Sequence, residues 1–194
     1  GSPDTWIFRS VFLAEYGVFA HPAHAFELTV CPDGNGAYRR ETLLPVLNAL
    51  KPDPTGPPAA AFTWHLATAG LRTAVEPQAV AAHKSFARLS DLFRVHVQLS
   101  RLYARHRVYT HQWRWYRRLL YALAVPLVLP WLQVYRLVTT LGWRHPHLKH
   151  AVSGLPLIFA LHLANGIGEG MGYLSGRIPS LESLRQLELY AGRA

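Results

Sequence analysis

Carboxylates are scarce in this chain and missing from its middle. None occurs between Asp91 and Glu169, a stretch that carries Arg94, Arg101, Arg105, Arg107, Arg114, Arg117, Arg118, Arg136, Arg144 and Lys149. Over the whole sequence 20 Lys and Arg stand against 11 Asp and Glu, a formal net charge of +9. Such a balance calls for a polyanionic neighbour, whether nucleic acid, anionic lipid or a phosphate-bearing substrate. Cysteine is nearly absent as well: Cys31 stands alone. A lone thiol excludes an internal disulfide and a cysteine-based zinc site, and it suits a reducing, cytosol-facing location. The opening Gly-Ser-Pro-Asp has no Met, no basic n-region and no apolar h-region, so it reads as neither a signal peptide nor a natural start, and we expect a piece of a longer protein. There is no internal repeat and no low-complexity tract.

What is present is apolar. Half of the 194 residues are hydrophobic, enough for a folded domain with a core of its own. Up to about Lys84 the punctuation is that of a mixed α/β segment. Residues 6–17 carry Trp6, Ile7, Val11 and Phe12 at helical spacing and close on Gly17. Residues 26–30 alternate as a short strand that Cys31-Pro-Asp-Gly breaks. Residues 38–50 read as a helix, followed by a rigid proline-rich loop over 51–58. Residues 59–69 read as a helix stopping at Gly70, and residues 72–75 as a strand running towards Pro77.

From Ser85 the pattern turns helical. Phe86, Leu89, Leu92, Phe93, Val97 and Leu102 supply an apolar stripe; Arg88, Arg94, Arg101, Arg105 and Arg107 supply a basic face. Such a helix suits an anionic membrane surface, and it equally fits an ordinary amphipathic helix with a solvated face. Residues 119–135 form an uncharged apolar run containing Pro126 and Pro130. Residues 151–174 form a second, interrupted by His162, Asn165 and Glu169. Both approach bilayer-crossing length. Basic residues flank the first run on both sides, so a single crossing would leave one cluster on the wrong side of the positive-inside rule. Two spans, a shallow re-entrant hairpin and a soluble hairpin packed on the α/β part all remain open. Nucleic acid is set aside as a partner, because the arginines are interleaved with Leu, Val and Trp in these apolar runs and no recognised nucleic-acid motif accompanies them.

Three motifs then carry a resemblance. Asp33-Gly-Asn-Gly-Ala-Tyr-Arg-Arg-Glu-Thr-Leu places small residues where backbone can approach a ligand and puts Arg39 and Arg40 beside them, able to meet a diphosphate or to form ion pairs. It resembles the Gly-Asn-x-Ala-x-Arg-Arg-x-x-Leu element of family 2 glycosyltransferases. The stretch from His65 to His83, with Ala69-Gly70, Arg72, Pro77 and Ala79-Val80, is similar in order and spacing to the family's helix, glycine stop and strand ending in a histidine. Gln98-Leu-Ser-Arg101-Leu102 falls where related enzymes place Gln-x-x-Arg-Trp. The resemblance implies the carboxy-terminal part of a GT-A domain: an α/β fold at the edge of a Rossmann-like sheet, followed by a mainly helical membrane-associated region. It further implies substrate binding by Asp33, Gly34, Asn35, Arg39, Arg40, Gln98 and Arg101, and a divalent cation, Mg or Mn, held in part by His83 against a nucleotide-sugar diphosphate.

The chain also departs from that pattern. The family's acidic pair, one member of which is the general base, is replaced by Pro58 and Ala59. Asp53 is the nearby carboxylate that could serve instead. Leu102 in place of the tryptophan argues against a chain-extending synthase. Upstream strands with an Asp-x-Asp metal motif are not in this sequence, so the chain alone is expected to be inactive. The expected organisation is a transferase part over 1–84, basic interfacial helices over 85–118, two membrane helices or a re-entrant hairpin over 119–176, and a polar tail over 177–194. The expected activity is transfer of a sugar from a nucleotide donor to a lipid or glycan acceptor at an anionic membrane surface, on the cytoplasmic face of a bacterial inner membrane. The alternative is a non-catalytic, glycosyltransferase-like binding or scaffold protein.

Overall fold

The computed structural model describes residues 6–17, 26–28, 37–49, 66, 68–76, 78, 88–141 and 148–175. The chain divides into two compact units, one made of Gly1–Ala20 with Lys84–Ala194 and the other of His21–His83. In order along the chain the elements are α1 (Trp6–Tyr16), β1 (Phe26–Leu28), α2 (Arg40–Ala49), β2 (Thr73–Val75), α3 (Leu89–His111), α4 (Trp115–Leu141) and α5 (Leu148–Leu174). The first helix, which the sequence division grouped with residues 1–84, belongs to the helical unit.

The expected α/β fold with a Rossmann-like sheet edge is not what forms. Among the described residues the strands are three residues each, and β1 pairs antiparallel with β2 alone, Phe26 opposite Val75 and Leu28 opposite Thr73. An α/β layer needs several strands, mostly parallel, with helices covering both faces. A ribbon this short is not such a layer, and the other elements among the described residues are helices. Alternation over four or five residues is a weak constraint on its own, since it cannot show whether a third strand exists to extend the sheet.

In the helical unit α5 is the shared partner: α1, α3 and α4 all pack on it. The sequence Gly166-Ile-Gly-Glu-Gly-Met-Gly172 explains how. At 100° per residue, Gly166 and Gly170 lie on one side of the helix and Gly168 and Gly172 on nearly the opposite side. Gly166 and Gly170 face α4, where an added Cβ would come within 2.8 Å of Pro126 Cα and 2.9 Å of the Ala122 carbonyl oxygen. Gly168 and Gly172 face α3, where an added Cβ would collide with the carbonyl oxygens of Val97 and Arg101. Two small-xxx-small faces back to back therefore let α5 slot between two helices at backbone contact distance.

The pairings also fix direction. Ala122 lies against Gly170, Pro126 against Gly166, and the Trp131 ring 4.8 Å from Phe159, so α4 and α5 form an antiparallel hairpin. Val97 lies against Gly168 and Arg101 against Gly172, so α3 runs parallel to α5. The apolar core follows the same plan. Leu13, Leu137, Leu141, Ala151 and Ile158 close one end, Val11, Leu92, Leu157 and Leu161 fill the middle, and Ala104, Val108, Trp113, Ala122 and Tyr173 close the other. Both α4 and α5 are long and apolar enough to cross a membrane. Pro126 and Pro130 lie within α4 and Pro156 within α5, and each helix continues past them.

Candidate functional site

Polar side chains within the apolar run of α5 fall on the side that meets α3. Asn165, Glu169 and Tyr173 are spaced four residues apart, one turn each, and α3 supplies their partners. At the first level His96 bridges two helices. Its Nδ1 is 2.9 Å from Asn165 Oδ1 and its Nε2 is 3.1 Å from Glu15 Oε1 of α1. Ser100 donates its hydroxyl to the same Asn165 oxygen at 3.0 Å. Four polar groups on three helices thus satisfy one another where no water is needed, which fixes the register of α1, α3 and α5.

One turn further on, the interface becomes strongly basic. Tyr173 donates its hydroxyl to Glu169 Oε2 at 2.7 Å, Arg107 donates to the Tyr173 hydroxyl oxygen at 2.9 Å, and the Arg107 guanidinium is 3.8 Å from Glu169 Oε2. Arg118 donates to the last carbonyls of α5, Tyr173 at 2.7 Å and Leu174 at 3.2 Å, which satisfies orphan acceptors and places positive charge on the negative end of the helix dipole. Arg101 reaches Ser175 Oγ through Nε and Nη2 at 3.2 and 3.1 Å.

Trp113 is the hub of this end. It is buried, with the Tyr121 ring 4.6 Å and the Tyr173 ring 5.3 Å away. The guanidiniums of Arg117 and Arg107 lie over it at 4.4 and 5.2 Å. Its position follows from the turn before it: α3 ends at Gln112 in the left-handed conformation, φ 48, and the Trp113 amide returns to the Val108 carbonyl. The chain reverses within three residues and drops the indole into the corner between α3, α4 and α5. Arg107 therefore lies between the Glu169 carboxylate and the aromatic rings, Arg117 stacks on Trp113 and Tyr121, and Arg118 and Arg101 bind the residues at the end of α5. Among the described residues Arg117 has cation–π partners and no hydrogen bond or ion pair. Chemically this is a corner suited to a phosphate or another oxyanion, with planar donors on aromatic walls.

The residues expected from sequence fare differently. Asp33, Gly34, Asn35, Asp53 and His83 lie outside the described residues. Arg39 and Arg40 stand exposed at the start of α2, where the Arg39 carbonyl accepts the amides of Thr42 and Leu43. Gln98 and Arg101 both sit on α3. Arg101 joins the basic corner, whereas Gln98 Oε1 is buried with no hydrogen-bond partner among the described residues. Leu102, at the position where the family has tryptophan, is buried in the core. No group of three His, Cys, Asp or Glu that could hold a metal occurs among the described residues. Sequence reasoning missed Trp113, Arg117, Tyr121 and Tyr173. The dense run Trp113-Arg-Trp-Tyr-Arg-Arg118 was the available signal, read there only as a flank of the apolar stretch. No protein-family model, no curated protein and no solved structure matches this chain.

Proposed function

We propose that the helical unit seats the chain on a membrane and that the complete protein transfers a sugar from a nucleotide donor to a membrane-associated acceptor. The observation that carries the membrane part is the outer side of α4. Leu120, Leu123, Leu127 and Trp131 are 64%, 64%, 73% and 67% exposed, and Tyr116, Leu119 and Tyr135 continue the same stripe. An apolar surface of that extent on a folded helix marks a membrane or partner face. Arginines bracket it, as anionic headgroups would require.

Support for sugar transfer comes from the sequence motifs and from the basic corner. The Gly-Asn-x-Ala-x-Arg-Arg element and the Ala-Gly to His83 stretch supply the resemblance, and Arg101 lies in a cluster whose chemistry fits a phosphate-bearing acceptor or donor. In this reading the divalent cation belongs to the nucleotide diphosphate, with His83 as one candidate ligand, and the seat is the cytoplasmic face of a bacterial inner membrane. The second reading, a non-catalytic scaffold, is favoured by one feature: Pro58 and Ala59 stand where a base is needed, and neither side chain can take a proton.

Fractionation and assay separate these readings. After expression in a bacterium the chain is expected to sediment with membranes, to stay there in high salt and to leave in detergent; recovery in the salt wash would end the membrane reading. The complete protein, supplied with nucleotide sugars and a lipid extract, is expected to transfer label to the lipid phase. Absence of both transfer and hydrolysis for every donor would leave the scaffold.

A further inference from the structure

We infer that the helical bundle lies in the plane of the membrane, inserted into one leaflet through the outer face of α4, and does not cross the bilayer. This rests on the membrane reading above and assigns its geometry. In a bundle that spans, polarity changes along the helix axes, with apolar middles and polar ends. Here it changes across them. Gly166 and Gly170 hold α4 on one side of α5, and Gly168 and Gly172 hold α3 on nearly the opposite side. The two outer layers differ in charge: the α4 stripe of Leu120, Leu123, Leu127 and Trp131 carries none, whereas α3 presents Arg94 with the half-buried Asp91 and Arg105 among exposed Leu89, Leu99 and Tyr109.

The register sharpens the point. Val97 meets Gly168 and the helices are parallel, so Arg94 stands abreast of Asn165 and Asp91 abreast of His162, both close to the middle of α5. The Glu15–His96 pair joins Asn165 at the same level. An upright bundle would carry Asp91, exposed Arg94, His96 and Glu15 into the centre of the hydrocarbon, where ionisable groups are costly. Laid flat, the same bundle turns α3 to water and α4 to acyl chains.

The dimensions agree. The uncharged part of α4, residues 119–135, extends roughly 25 Å at about 1.5 Å per residue, the lower limit for crossing a hydrocarbon core of roughly 30 Å. As a helix lying flat it needs no such match, since an interfacial helix sinks only about 5–10 Å. Exposed Arg114, just before α4, and Arg117 in its first turn lie towards one end of the stripe and exposed Arg136 towards the other, where all three can reach the headgroups of the same leaflet. The occupant of the α4 face is therefore an anionic lipid leaflet.

The test uses the full chain expressed in a bacterium, with Cys31→Ser as background and single cysteines placed by Thr110→Cys and Thr140→Cys near the two ends of α4. Spheroplasts are treated with a membrane-impermeant maleimide before and after permeabilisation. A bundle lying flat gives the two positions the same behaviour, both reactive or both protected until permeabilisation. A spanning bundle makes one reactive and the other protected in intact spheroplasts, which would overturn the inference while leaving membrane association standing; a chain found only in the soluble fraction would remove the membrane reading itself. In vesicles of phosphatidylglycerol and phosphatidylethanolamine carrying dibrominated acyl chains, quenching of tryptophan fluorescence is expected to fall clearly on Trp131→Phe. Quenching unchanged by that substitution means that a protein, a partner or a second copy, covers α4, and it too would overturn the assignment.

Discussion

At Gly168 and Gly172 a hydrogen in place of a methyl group is what lets two backbones touch. An added Cβ at either position meets a carbonyl oxygen of α3, and a carbonyl held in its helix ladder cannot rotate aside. Replacement by alanine would normally favour a helix by about 1 kcal/mol, but overpacking of this kind costs about 1–3 kcal/mol. Gly168→Ala and Gly172→Ala are therefore expected to lower the thermal midpoint of the detergent-solubilised protein. Gly70 is the contrasting case, since space around it is open and its φ of +76 makes alanine strained by about 1–2 kcal/mol. Asn165→Leu is expected to cost about 1–3 kcal/mol by leaving His96 and Ser100 facing a hydrocarbon, measurable in the same melt. For the chemistry, if Asp53 is the base, Asp53→Asn in the complete protein should retain donor binding and lower turnover by roughly two orders of magnitude or more. His83→Ala should instead weaken metal-dependent donor binding, read by titrating metal and donor separately.

The elements differ in how far the sequence disclosed them. Helical periodicity located α1 and α2 to within two residues at each end, and the long apolar stretches located α4 and α5, because an amphipathic or continuous apolar pattern over ten or more residues is self-sufficient evidence. The strand segments were found but over-read. Three residues can pair without any third strand, leaving both outer edges open, and the motif resemblance supplied a larger sheet than the two-stranded ribbon of the described residues. The basic corner was harder still to read, because Trp113 and Arg117 follow α3 by a left-handed turn at Gln112, a conformation that glutamine does not announce. Arg101 was found for the right helix, while its relation to Ser175 and α5 depends on the glycine-mediated contact and so on tertiary structure. Two tests belong at this scale. Leu123→Glu with Leu127→Glu should release the chain from vesicles while far-ultraviolet circular dichroism stays helical. Arg118→Ala should raise amide exchange in the last turn of α5, by removing charge-assisted bonds worth about 1.5–3 kcal/mol.

For the molecule as a whole, the arrangement of α1, α3 and α4 on α5 has a temporal side. The common partner is the last of the described helices to leave the ribosome. Until Leu148 and the residues after it are made, α1, α3 and α4 lack the helix on which all three pack, and the glycine grooves that hold α3 and α4 do not exist. Nascent α4 would then carry apolar groups on both sides, one destined for α5 and one, in the reading proposed above, for lipid, a state prone to aggregation and to chaperone capture. Early docking of α4 onto a membrane would shield one of those sides during the wait. Chains arrested on the ribosome before residue 148 should accordingly be cut rapidly by protease in a membrane-free translation system and more slowly when vesicles are supplied, whereas chains extended past residue 175 should resist in both.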